Sequence, residues 1–364
     1  MNFDGVQNAK CESFRHLFQF QETPSAFGAN DRYPVFAATR ESLAFAEIFQ
    51  GKDAGDDPRT MIALGVYRPS GSSHRSREDL RLGVFVQRKK LERHPLVEEI
   101  VRLSKGECKI VYTGPIGRRA HANAGISRPL RIGSSIGHYR ISAGTLGAFA
   151  VNRNGGGVGI LSNNHVLADV NRGRPRDLIL QPGKGDGGDR KNVGHHIAYL
   201  HKFVPLNFEP GSVNYVDCAF AYLMDGIGRE TSRLIEPSND NASWAVLVDD
   251  DPLTEGSYVK KIGRTTGLTY GIVEATQVDN LFVNMVFGDP RRRARFDRQI
   301  SIAGVESVFS RNGDSGSLIW TDRNAPAALL FAGSEKGDPP GGTTFANPIA
   351  LVCDTLDIDL YFGP

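Results

Sequence analysis

The chain has 364 residues, 40% of them hydrophobic and 23% charged, with 41 glycines and 19 prolines. That length holds two or three domains, and abundant glycine with scattered proline favours a turn-rich β architecture over a helical bundle. With 43 basic and 41 acidic residues the net charge is only +2, so overall charge names no partner, and no nucleic-acid partner is expected.

Residues 1–37 show no clear period and read as a partly ordered arm. The first eight residues lack the basic-then-apolar order of a secretory signal. No apolar run approaches the roughly 18–20 residues that a membrane-spanning helix needs. Cys11, Cys108, Cys218 and Cys353 lie far apart, without zinc-site or disulfide spacing, as in a protein that keeps its thiols reduced. We therefore expect a soluble, cytoplasmic protein that needs no cofactor or metal and has no membrane partner.

From residue 38 to 113 the pattern sharpens into a small α-β-β-α-β unit. Leu43, Ala46 and Phe49 recur at helical spacing before Gly51. Met61–Tyr67 and Leu82–Val86 read as strands. Leu96, Val97, Ile100, Val101 and Leu103 mark a second helix, and Cys108–Tyr112 a third strand. Residues 114–131, rich in Gly, Pro, Arg and Ala, read as a linker.

Residues 132–364 change texture to short strands separated by turn residues, as in a barrel or sandwich. Strands are expected near 145–151, 158–162, 192–200, 216–223, 257–262, 269–277, 280–287, 299–305, 317–320, 327–332 and 343–347. The polar gap Ser238–Asn241 divides the region into a first half, about 132–237, and a second, about 242–349. A C-terminal helix, Ala350–Leu356, is expected to pack back on the second half. Arg291–Arg295 reads as a solvated hairpin loop.

Three segments carry chemistry. In Gly313-Asp314-Ser315-Gly316-Ser317, glycines flank a serine, so the backbone can turn sharply and aim the Gly313 and Ser315 amides at one spot. An oxyanion hole for acyl transfer requires that geometry. Gly159–Ala168 is an apolar strand ending in a polar turn that bears His165. Asn214–Leu223 places Asp217 at the head of an otherwise apolar strand, where burial is costly unless the carboxylate meets a hydrogen-bond donor. An imidazole N–H is such a donor, and the pairing selects the tautomer that deprotonates serine. The chain order His165, Asp217, Ser315 is that of chymotrypsin rather than of subtilisin or the α/β-hydrolases.

With these segments and Phe331–Ser334, Thr344–Asn347 and Lys261–Thr269, residues 132–358 resemble the trypsin-like, chymotrypsin-fold serine proteases. Ser142–Gly147 and Leu180–Gly183 are similar to an intracellular bacterial and plant subgroup that includes the plant narrow-leaf proteins. The resemblance implies a mainly β, chymotrypsin-like double β-barrel preceded by the small α+β domain. It implies a serine endopeptidase acting on a protein or peptide, with His165, Asp217 and Ser315 as triad and Gly313 and Ser315 as oxyanion donors. Ala332, Gly333 and Ser334 would form the wall along which substrate lies. Phe309 stands where trypsin carries its acidic specificity residue, which implies an apolar or small residue, not Lys or Arg, on the acyl side of the cut. Ser317 replaces a usual second glycine.

Other readings compete. Gly133-Ser134-Ser135-Ile136-Gly137 matches the nucleophile elbow of an α/β-hydrolase esterase with Ser135 as nucleophile, but lacks the strand before it and the helix after it. An inactive protease fold retained as a binding scaffold is the alternative of a different class. His195, His196 and His201 have no further ligands at metal spacing. Gln181–Gly188 is glycine-rich without the end of a phosphate loop. Cys218 is expected to point away from Asp217 into the core. For control, we expect the N-terminal unit or the linker to mask the cleft until a partner or ligand displaces it. The competing expectation is cleavage after Arg131, freeing an Ile132 ammonium to pair with Asp314. The N-terminal unit is otherwise a docking or oligomerisation domain.

Overall fold

A computed structural model of the chain describes residues 1–23, 34–38, 57–69, 79–114, 125–231, 253–286, 289–305, 307–334 and 342–363. The expected helix at Leu43–Phe49 and the gap Ser238–Asn241 lie outside the described residues.

Asn2 caps helix α1 (Phe3–Glu12), its Oδ1 accepting from the Gly5 amide at 2.8 Å, and a π-helical turn, Ser13–Leu17, follows. Strands β1 (Phe20–Thr23) and β2 (Val35–Ala38) form an antiparallel ribbon. Val6, Phe14, Phe18 and Phe20 are all buried, so the segment read as an arm supplies much of a hydrophobic core. The rest of that core comes from β3 (Ile62–Tyr67), β4 (Arg81–Val86) and helix α2 (Pro95–Leu103). Strand β5 (Cys108–Tyr112) runs parallel to β4, and α2 makes the crossover that a parallel pair requires. His94 accepts from the Leu96 amide and Pro95 opens the helix, which sets where α2 begins.

The first barrel comprises β6 (Ser135–His138), β7 (Gly144–Thr145), β8 (Ala148–Asn152), β9 (Val158–Ser162), β10 (Leu178–Leu180), β11 (His196–Phe203) and β12 (Ala219–Leu223), with a single helical turn, α3 (Asn164–Leu167), after β9. β7 and β8 are two halves of one bent segment. The first pairs with β6 and the second with β9, so the sheet wraps back on itself. Ile136, Leu146, Phe149, Ile160 and Ile197 fill it.

In the second barrel, β13 (Tyr258–Gly263) and β14 (Gly267–Asp279) form a hairpin, and the ribbon β15 (Leu281–Asn284)–β16 (Arg293–Phe296) projects beyond it. β17 (Gln299–Gly304), β18 (Leu318–Thr321), β19 (Pro326–Gly333) and β20 (Thr343–Pro348) complete a closed ring in the order β13-β18-β19-β20-β17-β14. Leu318, Trp320 and Leu329 pack against Ala148, Leu161 and Phe220 in a core shared by the two barrels. Helix α4 (Ile349–Leu356) covers that shared core, and β21 (Ile358–Leu360) then pairs with β8. The mainly β, chymotrypsin-like double barrel is therefore present.

β3 pairs with β14, which makes the N-terminal strands an extension of the second barrel's sheet. Phe85 meets Phe345 edge-on at 6.2 Å across the same junction. The run at Arg291–Arg295 is only partly a solvated loop. Arg291 is exposed in the turn, but Arg295 lies in β16 at 4% exposure, paired with Asp297 and donating to the Phe36 carbonyl. The short strands β6, β10, β16 and β21 escaped the sequence reading because three or four residues scarcely display a period. Among the described residues no helix is long and apolar enough to cross a membrane.

Candidate active site

The ladder between β9 and β12 brings two of the three candidate residues together. Ala219 stands opposite Ser162, so two residues back along one strand and two forward along the other set Asp217 beside Asn164 and His165. There the His165 ring Nδ1 and the Asp217 carboxylate are hydrogen-bonded, and the His165 amide donates to the other carboxylate oxygen at 3.2 Å. The main chain of Asp217 is fixed from both barrels. Asn163 Nδ2 donates to its carbonyl at 2.7 Å, and its amide donates to Asn347 Oδ1 at 3.0 Å. Asn347 in turn donates to Gln299 Oε1 at 2.6 Å. Asp217 is fully buried, so its charge depends on these contacts.

Ser315 occupies the loop between β17 and β18, which docks on the first barrel through Thr145. The Thr145 amide donates to the Ser315 carbonyl at 2.8 Å and its hydroxyl to the Gly313 carbonyl at 2.7 Å. Both flanking glycines are required. Gly313 has φ +97° and Gly316 φ +91°, and a Cβ on Gly316 would lie 2.0 Å from Ser162 Oγ.

The loop's peptide planes are set individually. Thr265 Oγ1 donates to the Asn312 carbonyl at 2.5 Å, and Ser317 donates to the Asp314 carbonyl from its amide at 2.9 Å and its hydroxyl at 2.6 Å. In a trans peptide the N–H points opposite the carbonyl. The Gly313 and Ser315 N–H groups are thus turned away from these anchors, and neither donates to a described residue, whereas the Asp314, Gly316 and Ser317 amides all do. Ser317, where the resemblance led us to expect a glycine, is one of the anchors. Ser315 Oγ has no hydrogen-bond partner among the described residues, His165 included. Such contacts are often open in the absence of substrate and tighten in the complex. His165 and Ser315 are 3% and 2% exposed.

The Asp314 carboxylate is already saturated. It accepts from the Thr265, Thr266 and Arg311 amides at 2.8, 3.1 and 2.8 Å and from Thr266 Oγ1 at 2.7 Å, and Lys261 Nζ stands 3.4 Å away. No acceptor position is left for an Ile132 ammonium. Gly133, next to Ile132, is held in the first barrel by its bond to the Leu146 carbonyl.

Ala332 and Gly333 lie on β19 where it runs past the last β18 partner, so one edge of this stretch pairs with no described strand. Ser334 follows, bonded through its amide to Thr343. Phe309 is not on a pocket wall. Its ring is 1% exposed in the second-barrel core with Val259, Val273 and Ile302, near the Lys261 ammonium at 5.8 Å. An apolar side chain between barrel strands is drawn inward, and with Phe309 there the stated reason for an apolar or small acyl-side preference falls away. The neighbouring Ser310 and Thr344 hydroxyls bond each other at 2.6 Å.

Ser135 does not form an elbow. It begins strand β6, is fully buried, donates to Asp186 and accepts from the Gly183 amide at 3.0 Å. No group of metal ligands occurs among the described residues. His196 bonds the Arg190 carbonyl, and the His201 ring lies tilted against Tyr222 at 4.6 Å. Cys218 is fully buried in the shared core, where burial pushes its thiol pKa well up. Sequence reasoning missed Thr145, Asp186, Lys261, Arg264 and Asn347.

No protein-family model and no curated protein sequence matches the chain. Solved structures similar to it are bacterial chymotrypsin-fold serine proteases. Thermobifida fusca protease A is 14% identical with a TM-score of 0.42, and Cellulomonas bogoriensis chymotrypsin is 17% identical with a TM-score of 0.42. Each match covers 64% of this chain and 100% of the other. A Nocardiopsis protease is 18% identical with a TM-score of 0.41, covering 64% of this chain and 99% of its own. At such distances the functional reading rests on the geometry of this chain.

Proposed function

We propose that the chain is a serine endopeptidase in which Ser315 is the nucleophile, His165 the general base and Asp217 the group that orients it. One observation carries the reading. Two N–H groups without acceptors among the described residues, at Gly313 and Ser315, flank a serine hydroxyl that has no partner among them, on a loop seated against the strand ends that carry the His165–Asp217 pair. Ser315 Oγ attacks a substrate carbonyl as His165 Nε2 takes its proton, and the two amides receive the developing oxyanion. His165 then gives the proton to the leaving amine, and water releases the acyl group from Ser315. The unpaired edge at Ala332–Gly333 suits an extended peptide added as a further strand. The near-complete covering of Ser315 and His165 supports restraint of the site before substrate arrives.

A fluorophosphonate probe and a peptide-cleavage assay test the proposal. Ser315→Ala or His165→Ala should lower cleavage by about 10⁴-fold or more, and Ser315→Ala should abolish labelling. A folded wild-type chain that is neither labelled nor active would favour the inactive scaffold. Labelling lost in Ser135→Ala but kept in Ser315→Ala would favour the esterase.

A further inference from the structure

Arg264 is 5% exposed and reaches between the barrels. Its amide donates to Thr145 Oγ1 at 3.0 Å, and its Nε and Nη2 grip the Asp186 carboxylate bidentately. Asp186 is itself set by the Ser135 hydroxyl, and it sits in the turn Lys184–Asp186. Gly185 in that turn donates to the Ser142 carbonyl at 2.7 Å. The remaining guanidinium nitrogen, Nη1, is buried and has no hydrogen-bond partner among the described residues. Leaving a buried donor unused is costly, so its location calls for an explanation.

That location is the oxyanion loop. A Cβ built on Gly313 would lie 2.2 Å from Arg264 Nη1 and 2.5 Å from Thr265 Oγ1. Thr265 Oγ1, its neighbour there, is the donor that holds the Asn312 carbonyl, so the cation stands beside the Asn312–Gly313 peptide. In the observed orientation the carbonyl is held by Thr265 Oγ1, and the Gly313 N–H, which donates to no described residue, faces the opposite way. A flipped peptide would turn its N–H towards the cation and its carbonyl into the space where the oxyanion forms. Substrate binding alone would tolerate the flip, but the transition state would lose one of its two donors.

We propose that Arg264 is a positioning residue that keeps the Gly313 N–H turned into the oxyanion site, with Asp186 and Ser135 fixing the direction of its guanidinium. The proposal rests on the protease reading above. It extends that reading to a brace from the glycine-rich Gln181–Gly188 loop of one barrel to the nucleophile loop of the other.

The test uses the full-length chain carrying Arg264→Gln, Arg264→Lys or Asp186→Asn. For each, kcat and KM on a peptide substrate are measured beside the affinities for a peptidyl boronate and for the product peptide. The boronate is tetrahedral on Ser315 and places an oxygen at the oxyanion position; the product peptide depends much less on it. Arg264→Gln should lower kcat by about 10- to 100-fold, up to the effect of deleting one oxyanion donor, with KM within about twofold. Boronate affinity should fall by a similar factor, and product affinity should hold. Arg264→Lys, which keeps the charge without the fork, should fall between Arg264→Gln and wild type. Unchanged kcat and boronate affinity would overturn the proposal, as would equal losses in boronate and product affinity. If Arg264→Gln does not fold, Asp186→Asn must show the same split, and its absence would be equally decisive. Failure of the protease reading shows separately, as a wild-type chain that Ser315-directed probes do not label.

Discussion

The Lys261–Asp314 pair offers a quantitative test of what holds the Ser315 loop. Both side chains are fully buried, with Nζ 3.4 Å from the carboxylate. Removing one partner of a buried pair usually costs about 3–5 kcal/mol, because the other charge stays behind without compensation. In Lys261→Met the carboxylate keeps three amide donors and the Thr266 hydroxyl, so the loss should fall at the lower end, about 3 kcal/mol. In Asp314→Asn the ammonium keeps the Gly267 carbonyl at 3.2 Å and the Thr266 hydroxyl. The loop also loses acceptors, so about 4–5 kcal/mol is expected. The double variant Lys261→Met/Asp314→Asn leaves no stranded charge, and its cost should fall below the sum of the single costs by about 2 kcal/mol or more. Urea unfolding at pH 7 in all four chains measures the cycle, provided the denaturant slopes agree. A loss under about 1 kcal/mol in Lys261→Met, or strict additivity, would refute the reasoning. Because Lys261 already supplies the cation, Arg131→Ala should label with a fluorophosphonate as fast as wild type, and an inactive Arg131→Ala would restore the cleavage mechanism.

Glu274 sits largely buried in β14 with Oε2 unpartnered, and burial pushes its carboxyl up to about 7 against a weaker lowering by Lys109. The folded chain therefore holds a proton that the unfolded chain has released, and stability should fall as pH rises from about 4.5 to 7 and then level off. Glu274→Gln removes that loss, so its melting advantage should grow from pH 5 to pH 8 towards a ceiling of about 3 kcal/mol; a pH-independent difference would contradict this. Truncation to residues 132–364 strips β3 from β14, breaks the ion pair of Lys10 with Asp279 at 2.9 Å and uncovers Phe345 from Phe85. The truncated chain should aggregate or melt without cooperativity. A monodisperse, cooperatively melting and more active 132–364 chain would instead establish the N-terminal unit as a removable cover.

Much of the barrel region was legible without tertiary information. Val158–Ser162, Ala219–Leu223 and Leu318–Thr321 are apolar runs bounded by polar turns, and they form the strands β9, β12 and β18. His165, Asp217 and Ser315 stood out for the same local reason, as polar groups at strand ends or between glycines. The meeting of His165 with Asp217 depended on strand register, which a one-residue slip would have undone, and the placing of Ser315 on its loop's docking to Thr145. Helix α1 was hidden because only a stripe of its residues faces a core assembled from distant strands. Phe309 was assigned by position in a motif, but which side of a loop turns inward is settled by the barrel that closes around it. Arg264, Asp186 and Lys261 looked like ordinary charges. A buried charge becomes tolerable only where folding delivers its counter-charge, and for these residues the partner lies in another loop, from the other barrel in the case of Arg264 and Asp186. Local pattern thus determined strands, turns and candidate groups, and the tertiary structure decided which charges meet and which way the peptides of the Ser315 loop point.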